Sequence, residues 1–172
     1  PPTGDMALRR VGDDGVFQMF EANAAARTID VKITPLRPAR NASPITMGGP
    51  ARAAMEPMPE QFGRSAAWTI ETPKDALAGV NDVFLRIDYK GDVGRLFSGV
   101  RMLDDHYFNG LPWEIGLKRF AREAQTPLTL TVLPLRQDAP IYIAAGSRPQ
   151  IAKGGQAAEV VSAEPGRSLS ED

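Results

Sequence analysis

The sequence predicts an all-β domain of antiparallel strands, a sandwich or a barrel, and three observations carry that prediction. Residues 82–89 (DVFLRIDY) alternate, with Val83, Leu85, Ile87 and Tyr89 on one face and Phe84, Arg86 and Asp88 on the other. Residues 127–135 (PLTLTVLPL) repeat the pattern, with Leu128, Leu130, Val132 and Pro134 facing one way. Period two is the signature of a half-buried strand. Between such segments the chain is broken by turn formers, 16 Gly and 15 Pro in 172 residues, the punctuation of a chain of short strands.

The other elements follow in order. Residues 15–20 (GVFQMF), 28–34 (TIDVKIT) and 66–72 (AWTIETP) predict three upstream strands. Lys90-Gly91-Asp92 is turn chemistry, and 93–98 (VGRLFS) resume a strand that Gly99 ends. Val100, Met102 and Leu103 alternate partly with Arg101, which predicts a hairpin partner, and 140–144 (PIYIA) read as one more short strand. Residues 114–124 (EIGLKRFAREA) fit either a short helix or an extended piece.

Two stretches lie outside this pattern. Residues 35–64 hold Pro35, Pro38, Pro44, Pro50, Pro57 and Pro59 and three of the six Met residues, and predict a long excursion that covers a face or packs on a neighbour. From Ile151 the composition turns small and polar. The expected organisation is one β-sandwich domain over 1–150, with the excursion at 35–64, and a partly frayed tail at 151–172.

Bulk composition narrows the function classes. Net charge is −1, from 20 basic and 21 acidic residues, which argues against a nucleic-acid surface. No apolar run approaches the ~20 residues that span a bilayer, so no membrane partner is expected. There is no cysteine, which excludes disulfide and thiolate-metal scaffolds and leaves exported and cytosolic homes equally open. The opening PPTGDMALRR lacks the pattern of a signal peptide, and a start without Met suggests a fragment of something longer.

The candidate site is the crowd of polar and aromatic residues at Asp104, Asp105, His106, Tyr107, Asn109 and Trp113, read as one turn-rich loop. Carboxylates accept from paired sugar hydroxyls, and an indole offers a platform for sugar C–H faces. Each residue also has a structural reading: Trp113, beside Ile115 and Leu117, could plug one end of a sandwich, and the aspartates could cap a solvated turn. Asp104 and Asp105 make a poor glycosidase couple, since adjacent residues of an extended chain point to opposite faces, whereas the acid and its partner must face each other about 5 Å or more apart. His106 is the only histidine, too few for zinc, and calcium needs six or more oxygens. No cofactor and no metal are expected. Gly48-Gly49 and Gly154-Gly155 lack the spacing of a phosphate loop, and Ser65, Ser98 and Ser147 lack the surroundings of a nucleophile. Trp68 reads as core, and Arg86, Arg95 and Arg101 as solvated or ion-paired side chains.

The run FLRIDYKGDVGRLFSGVRMLDDHYFNGLPWEIGLKRF, followed by TLTVLPL, resembles the carboxy-terminal β-sandwich (jelly-roll) regions of bacterial β-galactosidase-type glycoside hydrolases, especially family thirty-five. The matching positions are Gly91, Asp92, Arg95, Leu96, Asp105, Asn109, Gly110, Pro112, Trp113, Gly116 and Leu117. The resemblance implies a galactose-binding-domain-like fold and an exported, carbohydrate-processing parent. It places catalysis on two glutamates of a separate barrel domain that nothing here resembles. It implies as partners a carbohydrate, either a galactoside or a plant or bacterial polysaccharide, and the parent's catalytic domain. The expected function is that of a non-catalytic carbohydrate-binding or substrate-shaping accessory domain. The alternatives are a structural domain bracing a catalytic one or, further off, a small free-standing enzyme using Asp105, His106 and Glu114.

Overall fold

The computed structural model describes residues 6–24, 30–78 and 82–166. Its strands are β1 (Met6–Asp14), β2 (Phe17–Ala24), β3 (Lys32–Arg37), β4 (Met47–Gly48), β5 (Ala53–Ala54), β6 (Ala66–Glu71), β7 (Phe84–Lys90), β8 (Val93–Ser98), β9 (Arg101–Tyr107), β10 (Trp113–Gly116), β11 (Leu128–Val132), β12 (Leu135–Arg136), β13 (Gln156–Ala157) and β14 (Glu159–Gly166). Every pairing among them is antiparallel. A five-stranded sheet runs β3-β6-β11-β8-β9 and a three-stranded sheet β10-β7-β14; the remaining strands form three two-stranded ribbons. The chain is all-β, and no helix among the described residues is long and apolar enough to cross a membrane.

Alternation decides what is buried. On β7, Leu85, Ile87 and Tyr89 are buried while Arg86 is exposed, and on β11 Leu128, Leu130 and Val132 are buried. These residues, with Val83, Leu96, Ile70, Trp113 and Ile115, form one apolar cluster shared by the two larger sheets, giving the fold its sandwich-like character. A one-residue slip of β7 would turn its apolar set outward, so the core fixes the register. Trp68 is half-buried against the same cluster.

Gly91-Asp92 does more than turn a hairpin. It carries the chain from β7 in one sheet to β8 in the other. The corner is pinned from both sides: the Asp92 N–H donates to the Leu133 carbonyl at 2.7 Å, and the Phe108 N–H donates to the Asp92 carbonyl at 2.9 Å. A Cβ on Gly91 would stand 2.2 Å from Val132 Cγ1 and 3.0 Å from the Leu133 carbonyl oxygen, so only glycine lets the corner seat on β11.

Several expectations change. The hairpin partner expected at 100–103 is present and runs on through Asp104–Tyr107, which were read as loop, to form the edge strand β9, paired to β8 with Leu103 bulged out at a register shift. A run of polar side chains resembles a loop in sequence but suits an edge, where one flank meets solvent. Residues 140–144 are irregular despite their alternation; Arg148 fastens this stretch by donating to the Ile141 and Ala139 carbonyls at 3.0 and 2.7 Å. The segment 127–135 divides at Leu133-Pro134 into β11 and β12. Residues 114–124 resolve into most of β10 and two 3-10 turns, Leu117–Phe120 and Glu123–Gln125. The tail predicted to fray instead supplies β13 and β14, the latter paired along β7, so the domain runs past residue 150; residues 167–172 lie outside the described residues. At the other end, β1 and β2 make a hairpin of which 15–20 was only part, and residues 28 and 29 of the predicted strand 28–34 are likewise outside.

The proline-rich excursion 35–64 begins in β3 and ends in a 3-10 turn, Pro59–Arg64. It lies against β8 and the tail. Phe62 lies under the Arg95 guanidinium of β8, 3.2 Å from carbon to ring centre, and the Arg40 N–H donates to the Arg64 carbonyl at 2.8 Å. The Gln156 amide ties it to the tail, accepting from the Ala42 N–H at 2.7 Å and donating to the Arg40 carbonyl at 3.0 Å. Gly91→Ala is expected to destabilise the domain by about 2–3 kcal/mol, the scale of forced overpacking. Gly63→Ala, whose Cβ meets open space, serves as control in the same urea titration.

Candidate functional site

β9 divides the predicted site residues between two faces. Cross-strand partners share a face, and His106 sits opposite Gly94, Asp105 opposite Arg95, and Asp104 opposite Leu96. His106 therefore turns toward the core side and Asp105 away from it. The separation of Asp104 from Asp105 follows from strand geometry, as alternation requires.

The inward side is an aromatic clasp. The His106 ring stacks on Trp113 of β10, with centroids 5.7 Å apart and planes 12° apart. Tyr89 meets His106, Phe108 and Trp113 edge-on, at 5.8, 5.5 and 6.4 Å. Gly94 makes room: a Cβ there would be 3.1 Å from the indole and 3.2 Å from the phenol ring. The Tyr89 hydroxyl lies 2.9 Å from the His106 carbonyl oxygen and 3.0 Å from Nδ1. A carbonyl only accepts, so the phenol donates to it and accepts from Nδ1–H, which assigns the tautomer and leaves Nε2 bare. Burial lifts the Tyr89 phenol well above its usual range. Burial also holds the His106 imidazole below its ordinary value, against the opposing pull of the Asp104 and Asp105 charges.

Trp113 is 4% exposed. Its indole is packed within the clasp, the arrangement of a plug between the sheets. Asp104 accepts from Arg119 at 2.6 Å, and the Asn109 side-chain oxygen accepts from the Leu111 N–H at 2.8 Å, closing the turn before Pro112. Four of the six predicted residues, Asp104, His106, Asn109 and Trp113, are thus engaged in structural contacts. Asp105, Tyr107 and Asn109 remain exposed. Glu114, proposed with Asp105 and His106 for an enzyme, sits on the other sheet, 3.9 Å from Arg86. Arg101 reaches Glu123 at 2.6 Å. No group of three or more metal-ligating side chains occurs among the described residues.

A second polar centre escaped the sequence reading. Asp92, at the pinned corner, is 8% exposed and faces a small cavity of about 20 Å³ between the sheet corner and the proline-rich excursion. Its walls include Ser43, Ile45, Met55, Glu56, Gln61 and Pro134. Asp92 makes no side-chain hydrogen bond or ion pair to a described residue, and burial pushes its carboxyl up to about 6. Nearby, Tyr107 is lifted by burial first and then by the charge and hydrogen bond of Glu56, which links the cavity rim to β9. The signal available in sequence was a carboxylate wedged between a glycine and a buried strand. Reading Lys90-Gly91-Asp92 as a solvated turn hid it.

Comparisons with protein-family models, curated proteins and solved structures find no match to this chain.

Two outcomes test this geometry. Trp113→Ala is expected to cost about 3–5 kcal/mol of stability, as for a large buried aromatic, read by chemical denaturation. For Asp92, the folded carboxyl titrates above its unfolded value. Its stabilising share is therefore complete below the unfolded value near 4 and is lost as pH rises through about 6. Asp92→Asn should leave the melting temperature unchanged near pH 4 and raise stability at pH 8 by on the order of 2 kcal/mol. A variant that melts earlier at pH 8 would mean the charge is matched by a partner.

Proposed function

We propose that this chain is a non-catalytic accessory domain of a carbohydrate-processing protein, and that its task is to brace a catalytic domain. One observation carries the bracing reading: Trp113, the residue best suited to stack on a sugar, is buried in the clasp between the two sheets. Exposed apolar side chains gather on the β1–β2 hairpin, where Val11, Val16, Phe17, Met19 and Phe20 are all exposed. Large exposed apolar surface marks places that meet another protein. The carbohydrate context rests on the resemblance of residues 84–120 to the jelly-roll, galactose-binding-like accessory regions of β-galactosidase-type hydrolases.

A second reading, direct sugar contact, is favoured by one feature: Asp105, Tyr107 and Asn109 are exposed near one another at the end of β9. A brace leaves its partner-facing surface bare when isolated, so the chain should self-associate as concentration rises in sedimentation velocity. Phe17→Ser with Phe20→Ser should return it to a monomer. A glycan array should show no binding. Glycan binding that weakens about tenfold in Tyr107→Ala, a loss of about 1.4 kcal/mol, would replace the bracing reading with the sugar-contact one.

A further inference from the structure

A desolvated carboxylate is costly unless a cation or a hydrogen-bond donor meets it. Asp92 has neither among the described residues, and its side chain, 8% exposed, lines a cavity. The one nearby cation in the cavity wall is already committed: Arg136 donates to both oxygens of Asp138 at 2.7 Å. The rest of the wall is of two kinds. Glu56 adds a second carboxylate at the rim, with Ser43 and Gln61 as neutral polar groups, while Met55, Pro57 and Leu133 give it an apolar side.

We propose that this cavity receives a primary ammonium group on an apolar stem, specifically a lysine side chain of the domain that this chain braces. The shape and chemistry select that occupant. A volume of about 20 Å³ admits one water-sized head group. A water molecule would fit but would leave the buried charge uncompensated. Calcium needs six or more oxygens, and the wall does not gather them. A guanidinium or a quaternary ammonium is too wide. An ammonium donates three hydrogen bonds, enough for Asp92, Glu56 and a neutral oxygen, while its methylenes lie along Met55 and Pro57, as lysine stems do on apolar surface. The inference names the chemistry of the braced partner and so rests on the bracing reading, but the cavity can be tested without that partner.

Methylammonium chloride is the probe, added to the isolated chain at pH 8, with tetramethylammonium chloride at equal ionic strength as control. Methylammonium at about ten times its Kd should raise the melting temperature by about 3 °C, tetramethylammonium should not, and Asp92→Asn should abolish the rise. Glu56→Gln should weaken it. An equal response to tetramethylammonium, an unchanged response in Asp92→Asn, a larger response to calcium, or no response overturns the proposal. If Asp92→Asn does not fold, the carboxyl carbon resonance of Asp92 in the unaltered chain decides. Its titration midpoint must fall when methylammonium is added, and a midpoint that stays put overturns the proposal. That failure would leave the self-association of the β1–β2 hairpin, and the bracing reading with it, untouched.

Discussion

One buried hydroxyl governs how the two sheets meet. Tyr89 is 1% exposed, at the end of β7 in the three-stranded sheet, and its phenol donates to the backbone carbonyl of His106 on the edge of the five-stranded one. A buried hydroxyl left unpaired costs about 1–3 kcal/mol, so the bond acts as a constraint on where β9 can lie. The aromatic contacts then follow. With the phenol fixed, the His106 ring falls onto Trp113, Phe108 closes the remaining side, and glycine at position 94 spares the rings a tight contact, since a Cβ there would stand 3.1 Å from the indole and 3.2 Å from the phenol ring. The edges of both sheets are fastened by side chains where no strand-to-strand hydrogen bond joins them.

The Gly91-Asp92 corner follows from the same arrangement. The chain leaves Tyr89, crosses to the other sheet within a few residues, and must present its backbone to Leu133 and Phe108 to do so. That crossing buries whatever side chain stands at position 92. A carboxylate there is at odds with packing, and burial pushes its carboxyl up to about 6. Buried groups in such conflict cluster at functional sites, which is why the corner, and not the conspicuous polar run of β9, carries the binding proposal.

Much of the fold was legible because burial leaves a period. Strands β7 and β11 alternate and pack between two neighbouring strands, so each apolar residue reports its own face. Legibility ended where period and pairing part company. The stretch 140–144 alternates but finds no partner strand, since its backbone is held by Arg148. β14 is small and polar in sequence, yet it pairs along β7 and buries only Ala163 among its described side chains. Of the site residues, the opposite facing of Asp104 and Asp105 could be read from spacing alone. The burial of Trp113 could not, because it depends on Tyr89 and His106 arriving from two other strands. Asp92 was hidden for the converse reason: its neighbours Glu56 and Gln61 lie on the excursion, and no local pattern joins them to it.

The polar run that dominates the sequence then has a plainer physical role. Among the described residues, β9 is the outer strand of the five-stranded sheet, with no further strand paired to its outer edge. Such an edge invites another strand, and charged side chains and bulges are the usual means of blocking it. Arg101, Asp104 and Asp105 supply the charges, Leu103 the bulge, and the Arg119–Asp104 pair lays a side chain from a neighbouring turn against the strand. An edge blunted in this way keeps the sheet from pairing with a further strand. The same residues that suggest a sugar-facing loop in one dimension thus suit, in three, an edge built to refuse contact.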